Sequence, residues 1–286
     1  MVIPLGIIIG FGCALAGYVL HGGNPVVLWQ PTEMLTIFGL AIGATISSNT
    51  NRTIKLMMHD LSAVFKGSKV NKVFLLDVLA LMFELLNKIR KDGLMALEAD
   101  IEEPENSEIF KKYPAVLENH HLVEFLTDYL RMMLGGSLNL VQLEGLMEQE
   151  LEEFVKTEHL AVHAVDNMAQ GLPAFGIVAA VMGVVQTMGS IGLPPAELGK
   201  LIGAALVGTF LGILFSYAVV APIASAMGQR GELEIKSLFA VKAILLASLN
   251  GFTPPQACEF GRKIMFPDQR PTFKEFDEKA KEVKGK

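Results

Sequence analysis

Charged residues are scarce in this sequence. Only 19% of its 286 residues are charged, 51% are hydrophobic, and the mean hydropathy is +0.42. Soluble domains carry about 25% charged residues, so this composition favours an integral membrane protein. The formal net charge of −6 argues against a nucleic-acid partner.

Cysteine and the usual catalytic motifs are also scarce or missing. Cys13 lies in an apolar run and Cys258 near the carboxyl end, and these two predict neither a disulfide framework nor a zinc site. The sequence has no glycine-rich phosphate loop, nucleophile elbow or metalloprotease helix. His159 and His163 have metal-ligand spacing with Asp166 nearby, but without a further ligand they predict a solvated helix face. We therefore expect no enzyme activity, no cofactor and no metal ion.

Two long uncharged runs are the dominant feature that the sequence does contain. They extend from Gly171 to Ile191 and from Leu201 to Val220, and the turn between them holds the nearby charges, Glu197 and Lys200. Each run is about the 20 residues that an α-helix needs to cross a bilayer. The segment predicts a hairpin of two membrane helices.

The composition of this hairpin indicates that its helices pack closely and that its two arms have no charged residue of their own for an ion path. Glycines recur at a spacing of four, as in Gly199 with Gly203 and Gly208 with Gly212, and such spacing lets helix backbones pack closely. Neither run contains Asp, Glu, Lys, Arg or His. A proton or ion path through this hairpin would therefore need an ionisable group from a partner.

Two further membrane helices are predicted in the first 51 residues, where Glu33 is the sole charge. A polar break from His21 to Pro31 separates them, and Trp29 in that break suits a membrane interface. The sequence begins apolar at once, without a basic leader or a small-residue cleavage site, so we expect the first helix to be retained.

Basic residues predict the orientation. They follow the second and fourth helices and are absent from the turn between the first two: Arg52, Lys55, Lys66, Lys69, Lys72, Arg230, Lys236 and Lys242. By the positive-inside rule both termini face the cytoplasm. The expected segments are membrane helices 1 and 2 (1–48), a cytoplasmic domain (49–170), the hairpin (171–222) and a cytoplasmic tail (223–286).

The polar segments show apolar residues at helical spacing and no strand alternation of useful length. In the cytoplasmic domain, one helical pattern ends at Asp92-Gly93 and a second follows at once, which brings Glu98 near Arg90 across the turn. The predicted fold class is an all-α, polytopic membrane protein with four transmembrane helices and a helical cytoplasmic domain.

Several residues allow both a structural and a functional interpretation. Pro173 and Pro222 lie near the cytoplasmic ends of the hairpin, where they could start and stop helices or act as a paired hinge. Arg90 and Glu98 could be solvated charges or a docking surface. The Thr209 hydroxyl could bond to its own helix or line a hydrated path.

The sequence resembles the MotA family of flagellar stator subunits over nearly its whole length. The resemblance rests on ordered motifs: GGNPVVLWQPTEMLTIFGLAIGA, IEEPENSEIFKKYP, FLTDYLRMMLGG, LPAFGIVAAVMGVV, PAELGKLIGAALVGTFLGIL, LNGFTPPQACEFGRK and RPTF. It implies a pentamer around a MotB dimer in the bacterial inner membrane. MotB would supply the proton-binding Asp that this sequence lacks. The cytoplasmic domain of the ring would turn the rotor through the protein FliG.

The resemblance also implies roles for individual residues. Arg90 and Glu98, with Glu150 as a weaker candidate, would contact the rotor, and Pro173 and Pro222 would carry conformational coupling. Thr209 would lie near the ion path. Sodium-type relatives tend to carry Thr where Ala180 stands, and the missing hydroxyl favours protons, because a desolvated Na⁺ would lose an oxygen ligand.

Three alternatives stay open from the sequence. A TolQ/ExbB-like energiser resembles the last two membrane helices, but such chains have fewer of them. A secondary transporter would be expected to show an inverted repeat and a polar midplane site, and neither is evident. The third alternative is a membrane scaffold that transports nothing.

Overall fold

The computed structural model of the protein describes residues 2–136 and 139–284, and within them it contains helices and turns but no strand. This confirms the predicted all-α fold class. Met1 and Lys286, which bound the first and last predicted segments, lie outside the described residues.

The helices of the described residues follow one another with short connections, several of them 3₁₀ turns, and a π-helical turn, Ser216–Val220, joins two helices without a break. Their bounds are α1 (Val2–Leu20), α2 (Pro31–Ser48), α3 (Asn51–Val64), α4 (Lys72–Asp92), α5 (Glu98–Glu102), α6 (Pro114–Leu117), α7 (His120–Gly135), α8 (Leu140–Met188), α9 (Pro195–Phe215), α10 (Ala221–Leu249), α11 (Pro254–Ile264) and α12 (Phe273–Lys284).

Four helical stretches in the described part of the chain are long and apolar enough to cross a membrane: Ile3–Leu20, Pro25–Ser48, Leu140–Met188 and Pro195–Leu249. The predicted number of membrane helices is therefore confirmed. The last two stretches are much longer than a bilayer requires, because an α-helix covers about 30 Å with 20 residues. As expected from the sequence, α8 runs from a polar segment directly into the third membrane helix.

The chain divides into two compact units. The first, here called the membrane unit, comprises Met1–Gly67 and Thr157–Arg230, and the second unit comprises Ser68–Lys156 and Gly231–Lys286. In the membrane unit, Phe215 at the end of α9 lies 4.9 Å from the ring of Phe38 and 5.6 Å from that of Phe11. These aromatic contacts pack α1 and α2 beside the π turn.

The two arms of the hairpin touch backbone to backbone. A methyl group placed on Gly212 would come within 2.6 Å of the Leu172 carbonyl oxygen and 2.8 Å of the Gly176 Cα. Since lipid tails are as apolar as the helices, such close packing is a main source of helix association in a membrane. The predicted pair Gly208 and Gly212 thus packs at the interface, whereas a methyl on Gly199 or Gly203 meets nothing within 4 Å in the single chain.

We predict that Gly212→Ala destabilises the protein. The added methyl would overlap backbone atoms of α8, which cannot rotate away, and overpacking of this kind costs about 1–3 kcal/mol. The measurement is the melting temperature of the detergent-purified protein, with Gly199→Ala on the same helix as the control. Equal melting temperatures for both variants would show that the close approach contributes nothing.

The second unit is built around α4, whose buried face includes Phe74, Val78, Leu81 and Leu85. Asn71 caps its start by accepting hydrogen bonds from two backbone N–H groups, and the helix ends at Gly93. Helices α11 and α12 both pack against α4, and they share one apolar core with α7 and the amino-terminal part of α8.

Candidate functional site

One carboxylate of this chain lies against the hairpin. Glu33, in the first turn of α2, has its Oε2 2.9 Å from the position of a methyl on Gly208 and its Oε1 3.5 Å from that of a methyl on Gly183. The absence of a side chain at Gly208 therefore leaves the space that the carboxylate occupies, whereas a methyl on Gly183 would be in ordinary contact with it. Glu33 makes no hydrogen bond or ion pair with any other residue that the structure describes. Intramembrane acids are costly, so such a residue is a candidate for function.

The two residues expected near the ion path lie in this region. Ala180 on α8 is 8% exposed, and its backbone nitrogen is 3.1 Å from the position of a methyl on Gly208. Thr209, one residue further along α9, is half-buried. Its hydroxyl forms no hydrogen bond within the described ranges, whereas Thr187 bonds to the Gly183 carbonyl of its own helix at 2.8 Å. Thr209 therefore does not make the local bond that the sequence allowed.

Both prolines lie inside continuous helices. Pro173 is an interior residue of α8, and Pro222 is the second residue of α10, which follows the π turn and α9 without a break. Their interpretation as a helix start and a helix stop is therefore wrong. Proline inside a helix removes a backbone hydrogen bond and crowds the preceding turn, so the helical hydrogen-bond pattern is weakened at both positions.

Arg90 and Glu98 flank a tight turn in the second unit. Arg90 lies in the last turn of α4, Gly93 follows with a φ of 84°, and Glu98 opens α5. Arg90 and Glu98 are both exposed, and neither bonds to another residue in the described part of the chain. Met95, between them in the chain, is 67% exposed. The turn thus presents charged side chains of both signs and the apolar Met95 to solvent.

One buried side chain and two hydrogen bonds hold this turn in place. Leu97 is fully buried, and Asp100 on α5 accepts hydrogen bonds from Lys88 of α4 at 2.6 Å and from Ser107 at 2.5 Å. Asp100 is 7% exposed and each of its carboxylate oxygens accepts one of these hydrogen bonds, while Lys88 remains partly exposed. Arg90 and Glu98 are therefore presented on a fixed backbone, which lowers the entropy lost when a partner binds.

Glu150 has a structural contact. Its Oε2 accepts a hydrogen bond of 2.6 Å from the hydroxyl of Tyr129, which lies on α7 and is fully buried. Burial and the adjacent Glu150 carboxylate raise the pKa of Tyr129, so the hydroxyl stays protonated and donates. Glu150 therefore joins α8 to α7, in contrast to Arg90 and Glu98, which have no such bond.

The histidine pair does not form a metal site. The rings of His159 and His163 lie 6.1 Å apart, and Asp166 accepts a hydrogen bond from Gln170. Across residues 2–136 and 139–284, no three His, Cys, Asp or Glu side chains are grouped closely enough to hold a metal ion.

Sequence reasoning missed two contacts, one in each unit: that of Glu33 with the hairpin and that of Tyr129 with Glu150. Glu33 stood out as the sole charge in the first 51 residues, and that isolation is the signal that could have assigned it to the hairpin. Tyr129 gave no signal, because its bond to Glu150 joins residues 21 positions apart on different helices.

The fold and the hairpin together define a polytopic helical membrane protein whose close-packed hairpin has no Asp, Glu, Lys, Arg or His within its two arms. Residues 4–93 match the family described as "Motility protein A N-terminal", and residues 118–238 match the "MotA/TolQ/ExbB proton channel family". Motility protein A of Salmonella typhimurium is 42% identical over 285 residues, which is 100% of this chain and 97% of that protein. Chemotaxis protein LafT of Vibrio parahaemolyticus is 37% identical over 281 residues, 98% of this chain and 99% of that protein.

Solved structures share the fold. The structure of C. jejuni MotAB aligns with a TM-score of 0.79 at 24% identity, over 95% of this chain and 98% of that one. The flagellar MotAB stator complex from Bacillus subtilis aligns with a TM-score of 0.69 at 23% identity, over 89% and 91%. The chain belongs to the motility protein A family. This confirms the resemblance found in the sequence and the expectation that the protein is not an enzyme, since the wider family is one of proton channels.

Proposed function

We propose that this chain is the membrane subunit of a flagellar motor stator that conducts protons together with a MotB partner and converts their flow into torque on the rotor. The observation that carries this function is the full-length likeness to motility protein A at 42% identity. The match of residues 4–93 to the MotA-specific family favours a stator over a TolQ/ExbB-like energiser or a solute transporter.

The partner is proposed because this chain lacks a central membrane acid. Neither hairpin arm has an Asp, Glu, Lys, Arg or His, and Glu33 lies only in the first turn of α2. A MotB chain, present in the MotAB structures, would supply the Asp that binds the proton. We further propose a pentamer of this chain around a MotB dimer, in the bacterial inner membrane, with both termini cytoplasmic and with 1–48, 49–170, 171–222 and 223–286 as its segments.

The ion path would pass the region around Ala180 and Thr209. The free hydroxyl of Thr209 is suited to contact water or an ion, and Ala180 offers no oxygen to a desolvated Na⁺. Protonation of the partner's Asp removes a charge from a low-dielectric site and thereby changes which packing of the helices is favoured. The membrane voltage contributes about 2.3 kcal/mol per charge per 100 mV to each such step.

We propose that the change in helix packing acts through Pro173 and Pro222, as points of conformational coupling. We also propose that Arg90 and Glu98 contact FliG, with Met95 between them and Glu150 as a further candidate. The support is physical. Both prolines lie inside helices that continue past them, and the exposed charges at Arg90 and Glu98 are unpaired among the described residues. Opposite charges on the rotor would steer and orient this contact.

Deleting the gene tests the function directly. We expect cells that still assemble flagella but do not swim, with swimming restored by the gene on a plasmid. Cells that lack flagella, or that swim normally while no second stator is present, would contradict the proposal.

Ion choice is tested by replacing sodium with potassium in the medium. We expect swimming speed to stay unchanged, because protons drive the motor, and to fall when a protonophore collapses the proton gradient. A sharp loss of speed on removing sodium would assign the motor to sodium instead.

A further inference from the structure

The two prolines are linked by one side chain. Pro173 has no N–H, so the carbonyl of Ala169, four residues earlier in α8, loses its helical donor. Ala169 is 1% exposed, which means that water cannot replace that donor. A buried carbonyl left without a partner is costly, and within a membrane protein neighbouring helices commonly supply the missing bond.

Ser216 supplies it here. Its hydroxyl donates to the Ala169 carbonyl oxygen at 2.7 Å, a normal length for an O–H···O bond, and Ser216 is 2% exposed. Thr45 and Thr187, by contrast, donate to carbonyls four residues earlier in their own helices. The Ser216 bond joins residues 47 positions apart, from α8 to the end of α9.

Ser216 also belongs to the distortion next to Pro222. It is the first residue of the π turn Ser216–Val220, and its carbonyl accepts the hydrogen bond from the N–H of Ala221, five residues on. Pro222 follows directly. π turns are rare and recur at functional sites. The side chain of Ser216 therefore satisfies the carbonyl released by Pro173, and its main chain closes the turn that leads to Pro222.

The surrounding packing holds this bond in place. Gly208, Gly212 and Ser216 recur at a spacing of four along α9, and the glycine contacts with α8 bring the two backbones close enough for a short serine side chain to reach. A longer side chain is not needed at 216 because Gly212, one turn earlier, touches Leu172 and Gly176.

We propose that Ser216 is a positioning residue that couples the two proline-containing helices, so that a change at Pro173 reaches the π turn before Pro222 through the hydroxyl–carbonyl bond. The coupling between helices is a property of the membrane unit alone. Its importance for torque rests on the proposed stator function.

A double-mutant cycle on the full stator complex tests the coupling. Pro173→Ala restores the N–H that Ala169 needs, so the Ser216 hydroxyl becomes dispensable. We expect Ser216→Ala to lower the melting temperature of the purified complex by about 2–4 °C in the wild-type background and by less than half of that shift in the Pro173→Ala background. Equal shifts in both backgrounds would overturn the coupling.

A second measurement tests whether the bond matters for motion. Motor torque is measured in tethered cells at equal numbers of engaged stators for Ser216→Ala and Ser216→Thr. We expect Ser216→Ala to reduce torque at least twofold and Ser216→Thr, which keeps the hydroxyl, to restore most of it. Unchanged torque in Ser216→Ala would overturn the positioning role even if the melting cycle showed coupling, and it would leave the stator function itself intact.

Discussion

Replacing Pro173 with Ala is expected to abolish swimming while leaving the protein assembled in the membrane. Alanine restores the backbone hydrogen bond to Ala169 and removes the clash that kinks α8, so the helix becomes straighter and stiffer. The cost to folding is small because alanine is the best helix former. The measurements are motility in soft agar and the amount of complex recovered with the partner from membranes.

The matched control is Pro195→Ala. Pro195 is the first residue of α9, where a proline interrupts no hydrogen bond, so the same substitution should leave motility normal. Normal swimming in a Pro173→Ala strain with wild-type protein levels would rule out a hinge at this position. Loss of both swimming and assembly would instead assign Pro173 a purely structural role.

Reversing both charges at the exposed turn is expected to have a comparably large effect. In the double variant Arg90→Glu with Glu98→Lys, each charge would meet a like charge on the rotor, and like charges in contact repel. Folding should be unaffected, because neither side chain bonds to another residue in the described ranges. We expect motility to fall at least tenfold at a normal protein level.

Lys91→Glu serves as the control, since Lys91 is exposed beside Arg90 and also makes no bond among the described residues. This variant should retain most motility. The interface assignment gains its strongest support if matching charge reversals on FliG restore swimming to the double variant. Normal motility of the double variant without any compensating change would remove Arg90 and Glu98 from the rotor contact.

The sequence was sufficient to predict the overall architecture because its signals are local. Uncharged runs of about 20 residues predict membrane helices. The helical spacing of apolar residues up to Arg90, followed by Gly93, predicts both the helix and its end. The four-residue glycine spacing also predicted close helix packing, but the same spacing at Gly199 and Gly203 meets no neighbour, so it did not show which pair lies between the arms.

The contacts between helices could not be predicted in the same way. A proline near the end of an apolar run is equally compatible with a helix boundary and with an interior position, and only the structure shows that the helix continues past Pro173. The bond from Ser216 to Ala169 depends on the register in which α8 and α9 pack. No periodicity in either helix reveals that register, and the same is true of the contact between Glu33 and the two glycines.

The claim that a partner chain supplies the central carboxylate is tested most directly by measuring proton flux into liposomes with an imposed potential. The chain reconstituted alone should conduct no protons above empty liposomes, and the complex with its MotB partner should conduct. Replacing the partner's membrane Asp with Asn should abolish that flux. Proton flux through this chain alone, lost on Glu33→Gln, would contradict the account and assign the proton-binding role to Glu33.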